Sequence, residues 1–153
     1  MLATIAIRLK QQHPGIHHII KGLDEAALRR RPQPDKWNIV DNIAHIASYQ
    51  LLFTERMQKT IAGESLTFGG YVPEQDARFL EMQKWPVTEL LASLEKDGLN
   101  LYTLLNNSSA EQLSNTATHL KYGSMNVTSW AEFYLLHEAH HMFTIFKLAK
   151  GIL

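Results

Sequence analysis

Five residues near the end of the chain, His137-Glu138-Ala139-His140-His141, place three imidazoles and a carboxylate side by side. On a helix, at about 100° per residue, His137 and His141 lie only ~40° apart around the axis and one turn apart along it. An i, i+4 pair of this kind can put two imidazoles on one metal ion. The same arc carries Trp130, Phe133, Tyr134, Ile145 and Leu148, so the pair sits in an apolar stripe and should face a protein interior. Two imidazoles buried there need polar partners, because a buried polar group without one is costly. A metal is one such partner; a tyrosine or a backbone carbonyl is the plainer one. His140 lies at the edge of the stripe and reads as a packing or supporting residue.

The same segment matches H-E-x-x-H, the helix of zinc metalloproteases, with Glu138 as general base. Many such proteases take a further ligand from beyond that helix, but Met142 to Leu153 contains no Asp, Glu or His. A third ligand must therefore come from upstream. His45 is preferred, with Asp41 one turn earlier as an acceptor for its other ring nitrogen. His45 lies off the stripe of Ile39, Ile43 and Ile46, on a second face with Asn42, Tyr49, Leu52 and Arg56. That face is either solvated or lines a cleft against the last helix. His13, His17, His18 and His119 are the other candidates. His13 and His17 are also i, i+4, but they flank a Pro-Gly break that should spoil their alignment. His119 belongs to a β-like segment that could point at the cleft.

The elements that must position these residues are helical nearly throughout. Met1 to Gln12 reads as a helix with Leu2, Ile5 and Leu9 on one face. His13-Pro14-Gly15 should kink or break it, and Ile16 to Leu23 resumes the pattern. Asp24 to Leu28 reads as a short capped turn, and Arg29 to Pro34 as an extended connection. Asn38 is a good N-cap for a long helix, with Asp41 serving its first turn. That helix carries Ile39, Ile43, Ile46, Phe53 and Met57 on one face, out to about Ile61. Ala62 to Pro73 reads as a loop, and Glu74 to Lys84 as room for a short helix. Trp85-Pro86 opens the next long helix, which runs to Asn106-Asn107, with Gly98 as a weak point inside it. Thr116 to Thr128 is β-like, with Tyr122-Gly123-Ser124 as its turn. Ser129-Trp130-Ala131-Glu132 is a capping-box sequence opening the last helix, which Gly151 closes after Lys150. Four long helices and one extended crossover predict an all-α four-helix bundle.

Composition narrows the function. With 15 basic and 15 acidic residues in a chain of 153, the formal charge is zero. That argues against a nucleic-acid or anionic-membrane partner bound by bulk charge. No apolar run approaches the ~18 residues of a membrane span. The length predicts a single domain over 1–153. The chain has no cysteine, so disulfides, thiolate ligands and a cysteine nucleophile are excluded. Met1 to Lys10 does not read as a signal peptide. Together these give a cytoplasmic location as the expectation.

The segment Lys36-Trp37-Asn38-Ile39-Val40-Asp41-Asn42-Ile43-Ala44-His45-Ile46 resembles the W-S/T-x-x-E-x-L-x-H-L start of the second helix in the DinB-like (DinB/YfiT) metalloenzyme family. Leu28, Arg31-Pro32 and Pro34 are similar to that family's lead-in, and His137 to His141 to its H-x-x-H-H. The likeness in spacing and helix order extends over nearly the whole chain. It implies an up-down-down-up four-helix bundle and a divalent metal, often nickel or zinc, held by His45, His137 and His141. It also implies relatives that transfer low-molecular-weight thiols, and frequent homodimers. Three departures stand out. The family's H-H-R-G-Q-L continues here as His140-His141-Met142-Phe143-Thr144-Ile145, Asn38 replaces the usual Ser or Thr, and Asp41 replaces Glu.

Three neutral imidazoles would leave a Zn²⁺ or Ni²⁺ ion with open positions, as in catalytic sites. Such an ion can lower the pKa of a bound water to about 7, or activate a thiolate. A thiol would have to come from a small molecule. Two enzyme readings follow, thiol transfer and metal-assisted hydrolysis, beside a non-catalytic metal-binding or dimerising bundle. Tyr49 and Tyr134 could line the cleft as proton donors, although packing is their default role. Trp37 and Trp130 could shape a pocket or simply anchor the core. Arg29-Arg30-Arg31 reads as a solvated run before a proline turn. Gly69-Gly70 lacks the context of a phosphate loop.

Overall fold

A computed structural model describes residues 3–152; Met1, Leu2 and Leu153, and with them Leu2 of the first apolar face, lie outside the described residues. The first rod is made of α1 (Ala3–Gln11) and α2 (Pro14–Ile20). Pro14 has no N–H to donate, which interrupts the ladder there. His13 at the joint keeps helical dihedrals, φ −63° and ψ −43°. A short α3 (Glu25–Arg29) follows, and the Asp24 side chain accepts from Ala27 N as its cap. The second rod, α4 (Ile39–Ile61), opens on the expected capping box of Asn38 and Asp41. After it come a short strand β1 (Leu66–Phe68), a single 3₁₀ turn at Pro73–Gln75 and α5 (Ala77–Met82). The third rod is α6 (Val87–Asn106), trailed by α7 (Ala110–Ser114). The hairpin β2 (Thr116–His119) and β3 (Gly123–Asn126) leads into the fourth rod, α8 (Val127–Lys150).

Contacts between named residues fix the directions of the rods. Arg8 pairs with Glu132, and Gln12 with Leu135 and Glu138, so the first rod runs parallel to α8. Asn42 meets His141 and Phe53 meets Tyr134, so α4 runs antiparallel to α8. β1 follows α4, β2 follows α6, and the two strands pair in parallel. The ends of α4 and α6 therefore lie together, and residues 62–86 return along the length of the bundle. The order is up-down-down-up. No helix among the described residues is long and apolar enough to cross a membrane.

The core is two apolar clusters with a polar layer between them. One cluster gathers Ile16, Ile43, Ile46, Leu90, Leu94 and Ile145. The other gathers Leu9, Phe53, Met57, Leu101, Trp130 and Tyr134. Between these levels each rod contributes one buried residue of another kind: His13, Gln50, Gly98 and Glu138. With its amide turned to pair, Gln50 donates to the Leu94 carbonyl (3.2 Å) and accepts from Gly98 N–H (2.8 Å).

Gly98 has a packing reason. A Cβ there would stand 2.7 Å from His13 Nδ1 and 2.9 Å from its Cε1. The ring cannot easily retreat, because its other nitrogen is bonded to Glu138. Gly98→Ala is therefore expected to lose about 1–3 kcal/mol by overpacking. Helix propensity alone would give the opposite sign, a gain of up to about 1 kcal/mol. Urea unfolding reads the difference, and a variant as stable as the parent would show that His13 can shift.

Three expectations need correction. The last helix begins at Val127, not at Ser129, because Asn126 accepts from Ser129 N and so caps it. The tip of the hairpin is Leu120–Tyr122, with His119 opposite Gly123. The loop expected over Ala62 to Pro73 contains β1, whose partner strand is too remote in sequence for local pattern to show it.

Candidate metal centre

His45 on α4 and His137 and His141 on α8 converge, with one potential ligand atom from each lying within 4.8 Å of the others. His45 Nε2 and His137 Nε2 are 3.2 Å apart. The ring of His141 is centred 4.3 Å from that of His45 and 4.7 Å from that of His137. His141 has its tautomer fixed. Its Nδ1–H donates to Asn42 Oδ1 at 3.0 Å, which leaves the Nε2 lone pair for a ligand. Asn42 is itself oriented, donating from Nδ2 to the Asn38 carbonyl at 2.8 Å.

The cluster fits a cation. Nitrogens bound about 2.0–2.1 Å from a tetrahedral Zn²⁺ stand roughly 3.3 Å apart, close to the 3.2 Å between His45 and His137. Two neutral rings without a cation can make at most one bond between those atoms. Both Nδ1 atoms are buried and have no partner among the described residues. Burial, reinforced by the neighbouring histidines, pushes His45 down to about 2 and His141 down to about 3, and burial also lowers His137. The imidazoles therefore stay neutral, which is the form a metal binds.

Aromatic rings wall the cluster. Trp37 lies 5.1 Å from His45 and stacks on His141 at 6.1 Å, and Tyr49 stands edge-on to His137 at 4.8 Å. Tyr71 stacks on His45 at 5.6 Å. Its hydroxyl donates to Asp76 Oδ2 at 2.9 Å and lies 3.0 Å from Ser48 Oγ. Burial, more than these contacts, pushes the Tyr71 phenol up to about 12. A cavity of about 380 Å³, lined by Gln33, Trp37, Asn42, His140 and His141 among others, gives access to the His141 side. Asn42 in its orienting role and Tyr71 escaped sequence reasoning. Asn42 shares the face of His45, which was a usable signal. Tyr71 is carried in by the long return connection, and nothing in its local sequence marks it.

Glu138 is elsewhere. Its carboxylate accepts from Tyr134 OH, from His13 Nε2–H at 2.8 Å and from Gln12 Nε2 at 3.0 Å. None of these groups belongs to the triad. The turn of about 100° between neighbouring helix residues carries Glu138 from the face of His137 into the polar layer. Asp41 does not support His45 either. It takes the Asn38 N–H (3.1 Å), Gln83 Nε2 (2.7 Å) and the Arg31 guanidinium (2.8 Å).

The remaining histidines are accounted for. His17 pairs with Glu95 at 2.7 Å on the surface, and His18 is exposed. His119 packs among Phe68, Tyr122 and Trp130, and its Nδ1 accepts from Lys121 N at 2.9 Å. His140 is exposed at the cavity rim. Tyr134 belongs to the second apolar cluster, stacked on Phe53 at 4.4 Å, and only its hydroxyl reaches the polar layer at Glu138. Trp130 anchors the core through a bond to the Ala117 carbonyl at 3.0 Å. Of the arginine run, Arg29 donates to the carbonyls of Gln83 and Trp85, and Arg31 to that of Lys36.

Among solved structures, the chain is similar to YfiT from Bacillus subtilis, described as a probable metal-dependent hydrolase with an unusual four-helix bundle topology. The TM-score is 0.84 at 14% identity, covering 97% of this chain and 86% of that one. At that identity the likeness is one of fold. No curated protein sequence matches. The family model described as the DinB superfamily matches residues 8–145. Nearly the whole of the bundle, with every residue of the triad, falls inside that span, and the chain belongs to the DinB superfamily.

Proposed function

We propose that the chain is a divalent-metal-dependent enzyme acting on a small molecule, with His45, His137 and His141 as the ligands. Hydrolysis is the first reading, and transfer of a low-molecular-weight thiol the second. The carrying observation is the 3.2 Å approach of His45 Nε2 to His137 Nε2 in a cluster sunk far enough into the protein that its imidazoles are held neutral. His45, His137 and His141 would hold the ion, and a bound Zn²⁺ or Ni²⁺ would supply Lewis acidity toward a water or a thiol.

The chain's own residues hold and shape. Asn42 keeps the Nδ1 proton on His141, so that Nε2 is presented as a lone pair. Trp37 offers a flat apolar wall to a substrate entering beside His141. That access supports an open site over a closed structural one. The YfiT structure, described as a probable metal-dependent hydrolase, supports hydrolysis by analogy of fold. Thiol transfer is compatible with the apolar lining, and its thiol must be brought in, because the chain has no cysteine. Glu138 is not assigned the base, since its carboxylate is engaged in the polar layer.

Metal content of tag-free protein, beside ester, amide and thiol-transfer panels with and without chelator, tests the reading. About one divalent ion per chain and turnover abolished by chelator are expected. Failure to take up Zn²⁺ or Ni²⁺ on incubation would overturn it.

A further inference from the structure

Arg56 lies on the His45 face of α4, eleven residues on, with Tyr49 between them. Its guanidinium carbon sits 4.1 Å from the centroid of the Phe68 ring. Tyr49, two helical turns before this arginine on α4, stands between it and the triad, with its ring edge-on to His137. Arg56 also lines an open cavity of about 320 Å³ with Leu52, Tyr71 and Asp76. Tyr71 is the wall this cavity shares with the triad, since the same ring stacks on His45.

The nearby carboxylates are committed elsewhere. Asp76 accepts from Tyr71 OH, from Arg78 N and, at 3.5 Å, pairs with Arg78 Nε. Glu55 bonds Arg78 at 2.8 Å. Arg56 therefore forms no ion pair among the described residues, although it is half-buried. A guanidinium flattened on an aromatic ring keeps its edge donors free and is suited to grip an oxyanion with two parallel bonds. A lysine would offer only a point charge.

We propose that Arg56 is an anion-binding residue of this protein, taking the carboxylate or phosphate of a small molecule that sits in this cavity with its other end toward the Tyr71 wall and the triad behind it. The placement of the reacting end rests on the metal-dependent reading above; the anion contact does not.

The test is an NMR titration of metal-stripped protein with phenylacetate, phenyl phosphate and the neutral phenylacetamide, following the Arg56 Nε–H signal. At least one anion should bind saturably and shift that signal, and the tighter of the two names the oxyanion. Arg56→Met should weaken anion binding about 10-fold or more and leave the amide unaffected, with Arg56→Lys intermediate. Absence of saturable anion binding at ~10 mM, or equal affinity in Arg56→Met, would overturn the proposal. Should Arg56→Met lose its fold, by circular dichroism, Arg56→Gln and Arg56→Lys carry the same comparison. Metal uptake is measured separately, so a failed triad with intact anion binding sinks only the reaction reading.

Discussion

Replacing Glu138 by alanine should cost about 3–5 kcal/mol of folding stability and leave metal uptake by the folded protein intact. Glu138 is fully buried and is the shared acceptor for Tyr134, His13 and Gln12. Truncation leaves those donors facing an apolar core with nothing to receive them, and each orphaned group costs about 1–3 kcal/mol. It also frees the joint of the first rod, because His13 ties the α1–α2 break to α8. Glu138→Gln keeps one acceptor oxygen but turns an NH₂ toward a donor, so an intermediate loss is expected. Urea unfolding checks both variants. A loss under 1 kcal/mol in Glu138→Ala would show that the polar layer is not a structural tie. A variant that is stable but inactive would return Glu138 to the general-base role.

Metal should stabilise the parent strongly and the triad variants not at all. An ion held at 100 times its Kd adds about 2.7 kcal/mol to the native state. For a chain of this size that raises Tm by roughly 5–10 °C. His45→Ala, His137→Ala and His141→Ala should each lose the increment, since two imidazoles hold an ion far less firmly than three. The triad carries a burial cost of its own. His45 and His137 each bury an Nδ1 with no partner, so removing either ring relieves a desolvation cost that offsets the packing lost. The metal-free His137→Ala protein is therefore expected to melt close to the metal-free parent. Scanning calorimetry with and without Zn²⁺ or Ni²⁺ reads both effects. An equal Tm increment in parent and variants would place the ion elsewhere.

The long helices and the paired histidines of α8 are legible because both depend on local rules. Apolar residues at helical spacing define the rods, and i, i+4 spacing alone puts His137 beside His141. The Asn38 box and the Asp24 cap were legible for the same reason: donor and acceptor lie three residues apart. His45 is marked by the family resemblance as well as by its helix position. Local pattern puts the cap of α8 three residues late, because β-branched Val127 and Thr128 read as strand and the helical turn they form depends on the Asn126 side chain.

Local pattern could not tell one buried face of α8 from the next. Glu138 follows His137 directly, yet one residue of helical rotation sends it to His13 instead of to the triad. Gly98 looked like a weak point, and only the packing of His13 against it shows why no side chain fits. Asp41 stood one turn from His45, but Arg31 and Gln83 claimed it from elsewhere in the chain. Tyr71 and Phe68 reach the site through the parallel pairing of β1 with β2, a register set across about fifty residues. Helix periodicity carries information over a few residues, so it fixed which side chains share a face. Which face meets which was settled by the order of the rods and by competition among buried polar groups for partners, and both are properties of the folded chain as a whole.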